Sequence, residues 1–151
     1  MRILFFHGVI KNYVDKDIQN IHLQESHFFE LIGNLKKKFF FLSLKEFYKL
    51  KELNEKLPKN LILLQFDDGY ENNLKVVYPI LNHFNIPFSI FITTKNIENN
   101  LRFPTFIAKL ALKYTSKKKI RILDLLHIEN YNNIEWKKIY FKKIKYLIKN
   151  T

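Results

Sequence analysis

Two adjacent carboxylates at the end of an apolar run are the residues of this chain best placed to do chemistry. Asp67 and Asp68 directly follow the run at residues 61–66, and Gly69 comes next. Adjacent carboxylates can divide two tasks, because one can ligate a divalent metal ion while the other takes the proton of a bound water. Asp and Gly are also common turn residues, so an ordinary polar turn and an Asp-Gly hairpin are the alternatives.

The flanking residues favour a buried strand that ends in a functional turn. Pro58 and Gly69 bound the run, and a near-continuous apolar run is typical of a strand that is covered on both faces. The following segment contains Pro79 and does not alternate apolar with polar residues, which argues against a hairpin. Since α/β folds carry their chemistry at the carboxyl ends of strands, we expect Asp67 and Asp68 to reach one cleft.

Alternating strand and helix signals surround this strand, and they predict an α/β fold with a parallel sheet. Strands are expected at residues 2–6, 39–42, 61–66 and 86–94, and residues 12–20 are expected to form a loop. Helices are expected near Ser26, after a capping box at Ser43 and after Tyr70. The last two are predicted to bury apolar stripes, namely Leu44, Phe47, Leu50 and Leu53 in one, and Leu74, Val77, Tyr78, Leu81 and Phe84 in the other.

The character of the chain changes after residue 94. A helix is expected from Pro104, the segment at residues 120–126 is compatible with either a strand or a helix, and residues 134–148 predict an amphipathic basic helix. A helix that packs on a core and exposes its lysines is the favoured interpretation of that last segment, and a membrane-surface helix is the alternative.

Residues 66–70, with the sequence Phe-Asp-Asp-Gly-Tyr, resemble the first motif of the polysaccharide deacetylases, the NodB-homology family of metal-dependent carbohydrate esterases. Residues 79–94 are similar to the helix and strand that follow this motif, residues 4–9 resemble the family's first strand, and residues 24–50 are similar to the elements between them. The resemblance implies the N-terminal portion of a distorted (β/α) barrel of the NodB-homology type, with extra helices at the C-terminus. Residues 1–94 would be the deacetylase part, and residues 95–151 a helical, basic extension or insertion.

The resemblance also implies a function and its residues. The reaction would be metal-dependent deacetylation of N- or O-acetylated sugars in a polysaccharide. Asp67 would be the catalytic base and Asp68 a metal ligand, while His7 and Tyr70 would line the substrate pocket. The implied cofactor is a divalent metal ion, zinc, and the implied partner is an acetylated polysaccharide or oligosaccharide.

One part of the family pattern is absent from the sequence. The family's second motif is a His-x-x-x-His pair that completes the metal site, yet none of the 5 histidines here lies four residues from another. A catalytic zinc normally has three protein ligands, so Asp68 alone leaves the site incomplete. We therefore expect the N-terminal part of a longer, truncated deacetylase. The first alternative is an inactive fragment or sugar-binding remnant, and the second is a basic module that binds nucleic acid or a membrane surface.

Composition narrows the class of protein. A chain of 151 residues with 47% apolar residues can bury a real core. The absence of cysteine excludes disulfides and thiolate ligands, so any metal must be held by Asp, Glu or His. No apolar run reaches the roughly 18 residues of a membrane span, and the N-terminal run is broken at His7, which predicts a cytoplasmic protein. The net charge is +12, but no recognised nucleic-acid motif accompanies it, so we expect no nucleic-acid partner.

Overall fold

The computed structural model describes residues 1–99 and 101–114, and the backbone of residues 120–122 and 126–128. The chain divides into two compact units, Met1–Thr94 and Lys95–Thr151. All four residues predicted to do chemistry lie in the first unit. The assignment of the two segments to a deacetylase part and an insertion stays a prediction.

Alternating strands and helices make up the first unit. In chain order its elements are β1 (Arg2–Phe6), β2 (Gly8–Ile10), β3 (His22–Gln24), α1 (Glu25–Lys36), β4 (Phe40–Phe41), α2 (Leu44–Glu52), β5 (Leu61–Asp68), a π-helical segment (Asn73–Val77), α3 (Tyr78–His83) and β6 (Ser89–Ile92). The predicted α/β class is therefore confirmed. The short strands β2 and β3, which flank the predicted loop, were not anticipated.

A parallel sheet of β1, β4, β5 and β6 lies at the centre of this unit. β1 pairs with β5 from Arg2↔Ile62 to Phe6↔Phe66. Ile62 also pairs with β4, and Phe66 also pairs with β6. Because a strand residue has one partner on each edge, β4 and β6 follow each other along the edge opposite β1. β5 is therefore the central strand, with β1 beside it as far as Phe66 and β6 beside it through Asp68.

The core lies between one face of this sheet and the helices α1 and α3. Phe66 is fully buried, and its ring lies 5.7 Å from Phe6, 5.9 Å from Phe28 and 5.8 Å from Phe88 between centroids. The side chains of β1 alternate: Leu4 and Phe6 pack against this core, whereas Ile3 and Phe5 are 50% and 66% exposed. The buried members of the core are Val9, Phe28, Ile32, Leu64, Phe66, Val76, Val77, Ile80, Leu81 and Ile86.

Helix α2 begins as predicted but is less buried than predicted. The Ser43 Oγ accepts a hydrogen bond from the Glu46 N–H at 3.1 Å, and the Glu46 carboxylate accepts from the Ser43 N–H at 2.8 Å, which completes the capping box. The expected buried stripe is wrong, since no residue of α2 is buried and Leu53 is 56% exposed. The preceding strand β4 is only two residues long, so it offers little sheet for this helix to cover.

The helix after Tyr70 contains a π-helical segment shortly before Pro79. Proline has no N–H, so the ordinary α-helical bond to the Lys75 carbonyl cannot form. The Tyr78 N–H donates to the Asn73 carbonyl, five residues earlier, where a regular α-helix would use the Leu74 carbonyl. This wider turn leads directly into α3, where Pro79 occupies the first turn.

The π-helical segment changes which residues of this helix face the core. Leu74 and Tyr78, which regular helical spacing predicts as buried, are 69% and 51% exposed. Val77 is buried as predicted, and Asn73 and Val76, which lie outside the predicted stripe, are buried as well. The expected stripe is therefore wrong at two positions, because the wider turn shifts the phase of the helix relative to the sheet.

The second unit begins within α4 (Thr94–Glu98) and continues with α5 (Pro104–Tyr114), which starts at the predicted proline. β7 (Ile120–Ile122) and β8 (Leu126–Ile128) then pair antiparallel, so the segment left open between strand and helix contains strands. The basic helix predicted at residues 134–148 lies outside the described residues. Among the helices that the structure describes, none is long and apolar enough to cross a membrane.

The buried ring of Phe66 should dominate the stability of the first unit. Replacing a buried Phe by Ala costs about 3–5 kcal/mol, because apolar area is lost and a cavity remains. We expect Phe66→Ala to lower the free energy of unfolding, measured by urea denaturation, by that amount. Phe40→Ala is the matched control, since Phe40 is 66% exposed and its loss should cost no more than about 0.5 kcal/mol. Equal losses in the two variants would contradict this account of the core.

Candidate active site

The candidate site lies at the carboxyl end of β5. Asp67 and Asp68 are the last two residues of that strand, and Tyr70 follows the turn at Gly69. β1 pairs with β5 as far as Phe6, so the next residue, His7, comes beside the end of β5. The structure accordingly places the His7 Nε2 at 3.8 Å from the Asp68 Oδ2.

A left-handed turn breaks the alternation of the strand. Asp68 has φ 73° and Gly69 has φ 71°, in the region where Asp and Asn are tolerated and Gly is easiest. In a straight strand the Asp67 and Asp68 side chains would face opposite sides of the sheet. A Cβ at position 69 would also lie 2.9 Å from the Ile92 Cγ2 atom, so both the backbone angle and the available space require glycine.

The environment of Asp68 disfavours its charge. Burial raises the pKa of this carboxyl, the neighbouring His7 lowers it, and the charge of Asp67 raises it further. Desolvation is the largest of these effects, so the charged carboxylate is held in place at a cost to folding. Such a group gains from a nearby cation or proton donor.

Tyr70 lies beside this carboxylate and remains protonated. Burial first, and the charge of Asp68 second, raise the pKa of Tyr70 to about 12. The phenol is therefore neutral at physiological pH and is able to donate a hydrogen bond. The ring of His22 packs edge-on against the ring of Tyr70, with centroids 4.9 Å apart and an interplanar angle of 88°.

Asp67 is held by a neighbour on its own strand. The Gln65 Nε2 donates a hydrogen bond to the Asp67 Oδ1 at 2.9 Å. Residues two apart on a strand share a face, so the spacing of Gln65 and Asp67 was the sequence signal for this contact. It was overlooked because Gln65 stands inside an apolar run.

His22, Gly8 and Asn72 are further residues that sequence reasoning missed. Gly8 pairs with His22 in the two-stranded sheet of β2 and β3. A Cβ at Gly8 would overlap the Asn72 Oδ1 and would lie 2.8 Å from the His22 Nδ1. Glycine at this position therefore leaves room for the side chains of Asn72 and His22, and His22 in turn contacts Tyr70. The glycine directly after His7 was the available signal.

The donors that the structure describes do not complete a metal site. In the described part of the chain, no group of three or more His, Cys, Asp or Glu side chains is arranged to hold a metal ion. Asp68 and His7 are close to each other, but a catalytic zinc normally has three protein ligands. The predicted role of Asp68 as a metal ligand therefore stays a prediction.

Comparison with known proteins finds similarity to polysaccharide deacetylases. The polysaccharide deacetylase family model matches residues 54–123, which include the carboxylate turn. The poly-β-1,6-N-acetyl-D-glucosamine N-deacetylase of Staphylococcus aureus strain MSSA476 is 37% identical over 100 residues, covering 65% of this chain and 34% of that protein. The protein of the same name from strain COL matches with the same identity and coverage.

Solved structures show the same fold. The Streptococcus pyogenes deacetylase PplD, solved in complex with acetate, has a TM-score of 0.56 and 23% identity, covering 72% of this chain and 50% of that one. IcaB from Ammonifex degensii has a TM-score of 0.51 and 23% identity, covering 60% and 36%.

These matches support a partial polysaccharide deacetylase domain of the NodB type. The mixed α/β fold with its parallel sheet is consistent with part of a barrel, as the sequence predicts. The chain spans about a third of the length of the S. aureus relatives, at 34%. Deacetylases of this family are generally metal-dependent, and the described residues of this chain do not by themselves complete a metal site.

Desolvation of Asp68 predicts a pH-dependent change in stability. Because the folded protein holds this proton more tightly than the unfolded chain, stability is favoured below the ordinary pKa of 3.8 and falls as pH rises through the folded pKa. Asp68→Asn removes the charge, and Asn adopts the left-handed backbone readily. We expect its urea midpoint to exceed that of the wild type at pH 7 in a metal chelator, and to match it near pH 3. The same difference at both pH values would contradict the assignment to desolvation.

The close packing at Gly8 predicts that the substitution Asn72→Ala partly restores the stability lost in Gly8→Ala. Gly8→Ala should destabilise the domain, since the new methyl group overlaps the Asn72 Oδ1. Overpacking of this kind costs about 1–3 kcal/mol. Asn72→Ala removes the obstructing amide, so the double variant should lose less stability than the sum of the single variants. Additive losses in thermal or urea unfolding would show that the two sites do not meet.

Proposed function

We propose that this protein carries part of the active site of an enzyme that removes acetyl groups from a polysaccharide built of N-acetylated glucosamine. The main support for this proposal is that His7, Asp68 and Tyr70 lie close together, next to Asp67, at the carboxyl end of the central strand. The S. aureus relatives are named for deacetylation of poly-β-1,6-N-acetyl-D-glucosamine, which supports this substrate class.

The four residues suit different parts of amide hydrolysis. A base must take a proton from the attacking water, and Asp67 is the candidate because a hydrogen bond orients its carboxylate. The nitrogen of the sugar must gain a proton as its bond to the acetyl carbon breaks, and the imidazole of His7 is a group that can carry one. Tyr70, which stays protonated, can donate a hydrogen bond to a sugar or acetyl oxygen.

We further propose that Asp68 is the ligand that this unit contributes to a divalent metal ion, with zinc as the candidate. The support is its position beside His7 and an environment that would favour a nearby positive charge. The remaining ligands would come from outside the described residues. A sugar-binding protein without turnover is the second candidate, and the incomplete donor set of the described chain is the observation that favours it.

Acetate release provides the direct test. With added zinc, we expect the purified protein to release acetate from a β-1,6-linked N-acetylglucosamine oligomer. Asp67→Asn should reduce kcat by about 10²–10⁴-fold, the usual contribution of a general base. Glu71→Gln is the matched control, because the side chain of Glu71 is 76% exposed and pairs only with Lys75 four residues later among the contacts described.

Two results would alter the proposal. Full activity in Asp67→Asn would remove this carboxylate from the reaction. Binding of the oligomer without any acetate release by the wild type, together with less than stoichiometric zinc in metal analysis, would favour the sugar-binding alternative.

A further inference from the structure

We propose that Gln65 is a positioning residue that fixes the carboxylate of Asp67 for the reaction. This inference rests on the proposed role of Asp67 as the base. It is carried by the 2.9 Å hydrogen bond from the Gln65 Nε2 to the Asp67 Oδ1. The bond joins two partly buried side chains on one face of the central strand.

The backbone beneath this pair is held on both edges. Gln65 pairs with Phe5 of β1 and with Ser89 of β6, while Asp67 pairs with Phe91 of β6. The amide donor therefore sits on a segment whose register is set by two neighbouring strands. β1 ends before the level of Asp67, so the carboxylate is the first group on this face that extends past that strand.

Packing does not explain why residue 65 is a glutamine. The four preceding residues of β5 are buried and apolar, and an apolar side chain would continue that run. Burying part of an amide costs free energy unless the amide is hydrogen-bonded. The hydrogen bond to Asp67 compensates for this burial. Donation to that carboxylate therefore accounts for a glutamine in the central strand.

A neutral amide is suited to this task. A cationic donor would stabilise the carboxylate strongly and weaken it as a base, whereas an amide orients the group with a smaller effect on its charge. The bond engages Oδ1 and restricts rotation of the carboxylate, so Oδ2 is presented in one direction. Small displacements of a reacting group reduce rates steeply, so this restriction should appear in kcat.

Nuclear magnetic resonance tests the geometry without requiring activity. In the wild type, we expect the Gln65 side-chain amide protons to be shifted downfield, and the coupling constants of the Asp67 methylene to report a single χ1 rotamer. Asp67→Ala should return the amide signal to the position of a solvent-exposed glutamine. Gln65→Met keeps the size of the side chain without the donor, and it should give averaged rotamers at Asp67. Gln24→Met, at the end of β3, is the matched control and should change neither signal.

Kinetics tests the consequence. Gln65→Met should lower kcat for acetate release by roughly 3- to 10-fold, about the net contribution of one hydrogen bond, with KM unchanged. Gln24→Met should retain the wild-type kcat. A purely structural role for Gln65 would instead lower the urea midpoint and leave kcat per folded molecule unchanged.

The outcomes separate this inference from the proposed function. An amide signal that does not respond to Asp67→Ala, or an unchanged kcat in Gln65→Met, would overturn the positioning role. If the spectra show the hydrogen bond between Gln65 and Asp67 but the wild type releases no acetate, the deacetylase proposal fails. The inference is then reduced to an orienting contact with no catalytic use. Spectra that show this hydrogen bond, together with a selective loss of kcat in Gln65→Met, would support both the positioning role and the proposed deacetylase function.

Discussion

The hydrogen-bonded pairing of β5 on both edges determines where every candidate residue lies. Its register with β1 brings His7 to the level of the two aspartates, and its register with β6 places Ile92 against the turn. Parallel strands in one sheet end on the same side, so the loops that follow them converge. The position of the candidate site is therefore a consequence of backbone pairing, and the side chains add chemistry to a location that the sheet has already defined.

Placing charges at this location opposes the stability of the domain. The apolar part of β5 contributes to the core, and the same strand then carries two carboxylates into a partly desolvated turn. Asp68 adds a left-handed backbone conformation, which is unfavourable for most residues other than glycine. A sequence selected only for stability would have neither feature. Their combination on one strand is typical of functional sites, where strain and burial are retained for chemistry.

Much of the fold was predictable because local signals and tertiary structure agree. The capping box at Ser43, the apolar run of β5 and the proline at the start of α5 each specify their element within a few residues. Prediction failed where a longer-range interaction decided the outcome. The strands β2 and β3 are three residues long and exist because they pair with each other, so neither has a periodic pattern of its own.

The candidate site shows the same division. Asp67, Asp68, His7 and Tyr70 could be named from a short motif and a strand end, whereas His22 and Asn72 reach the site only through the fold around Gly8. The phase of the helix after Tyr70 depends on which carbonyl accepts from Tyr78, a detail that apolar periodicity does not encode.

The alternation of buried and exposed side chains along β1 affects how copies of this protein interact in solution. Ile3 and Phe5 present apolar surface on one side of the sheet, and Phe91 of β6 is also 48% exposed. Exposed apolar patches attract other copies of a chain, while a net charge of +12 repels them. Dissolved salt at 0.1 M screens the repulsion between charges more than about 10 Å apart and leaves the apolar attraction in place. We therefore expect copies of this protein to associate more readily as the ionic strength of the buffer rises.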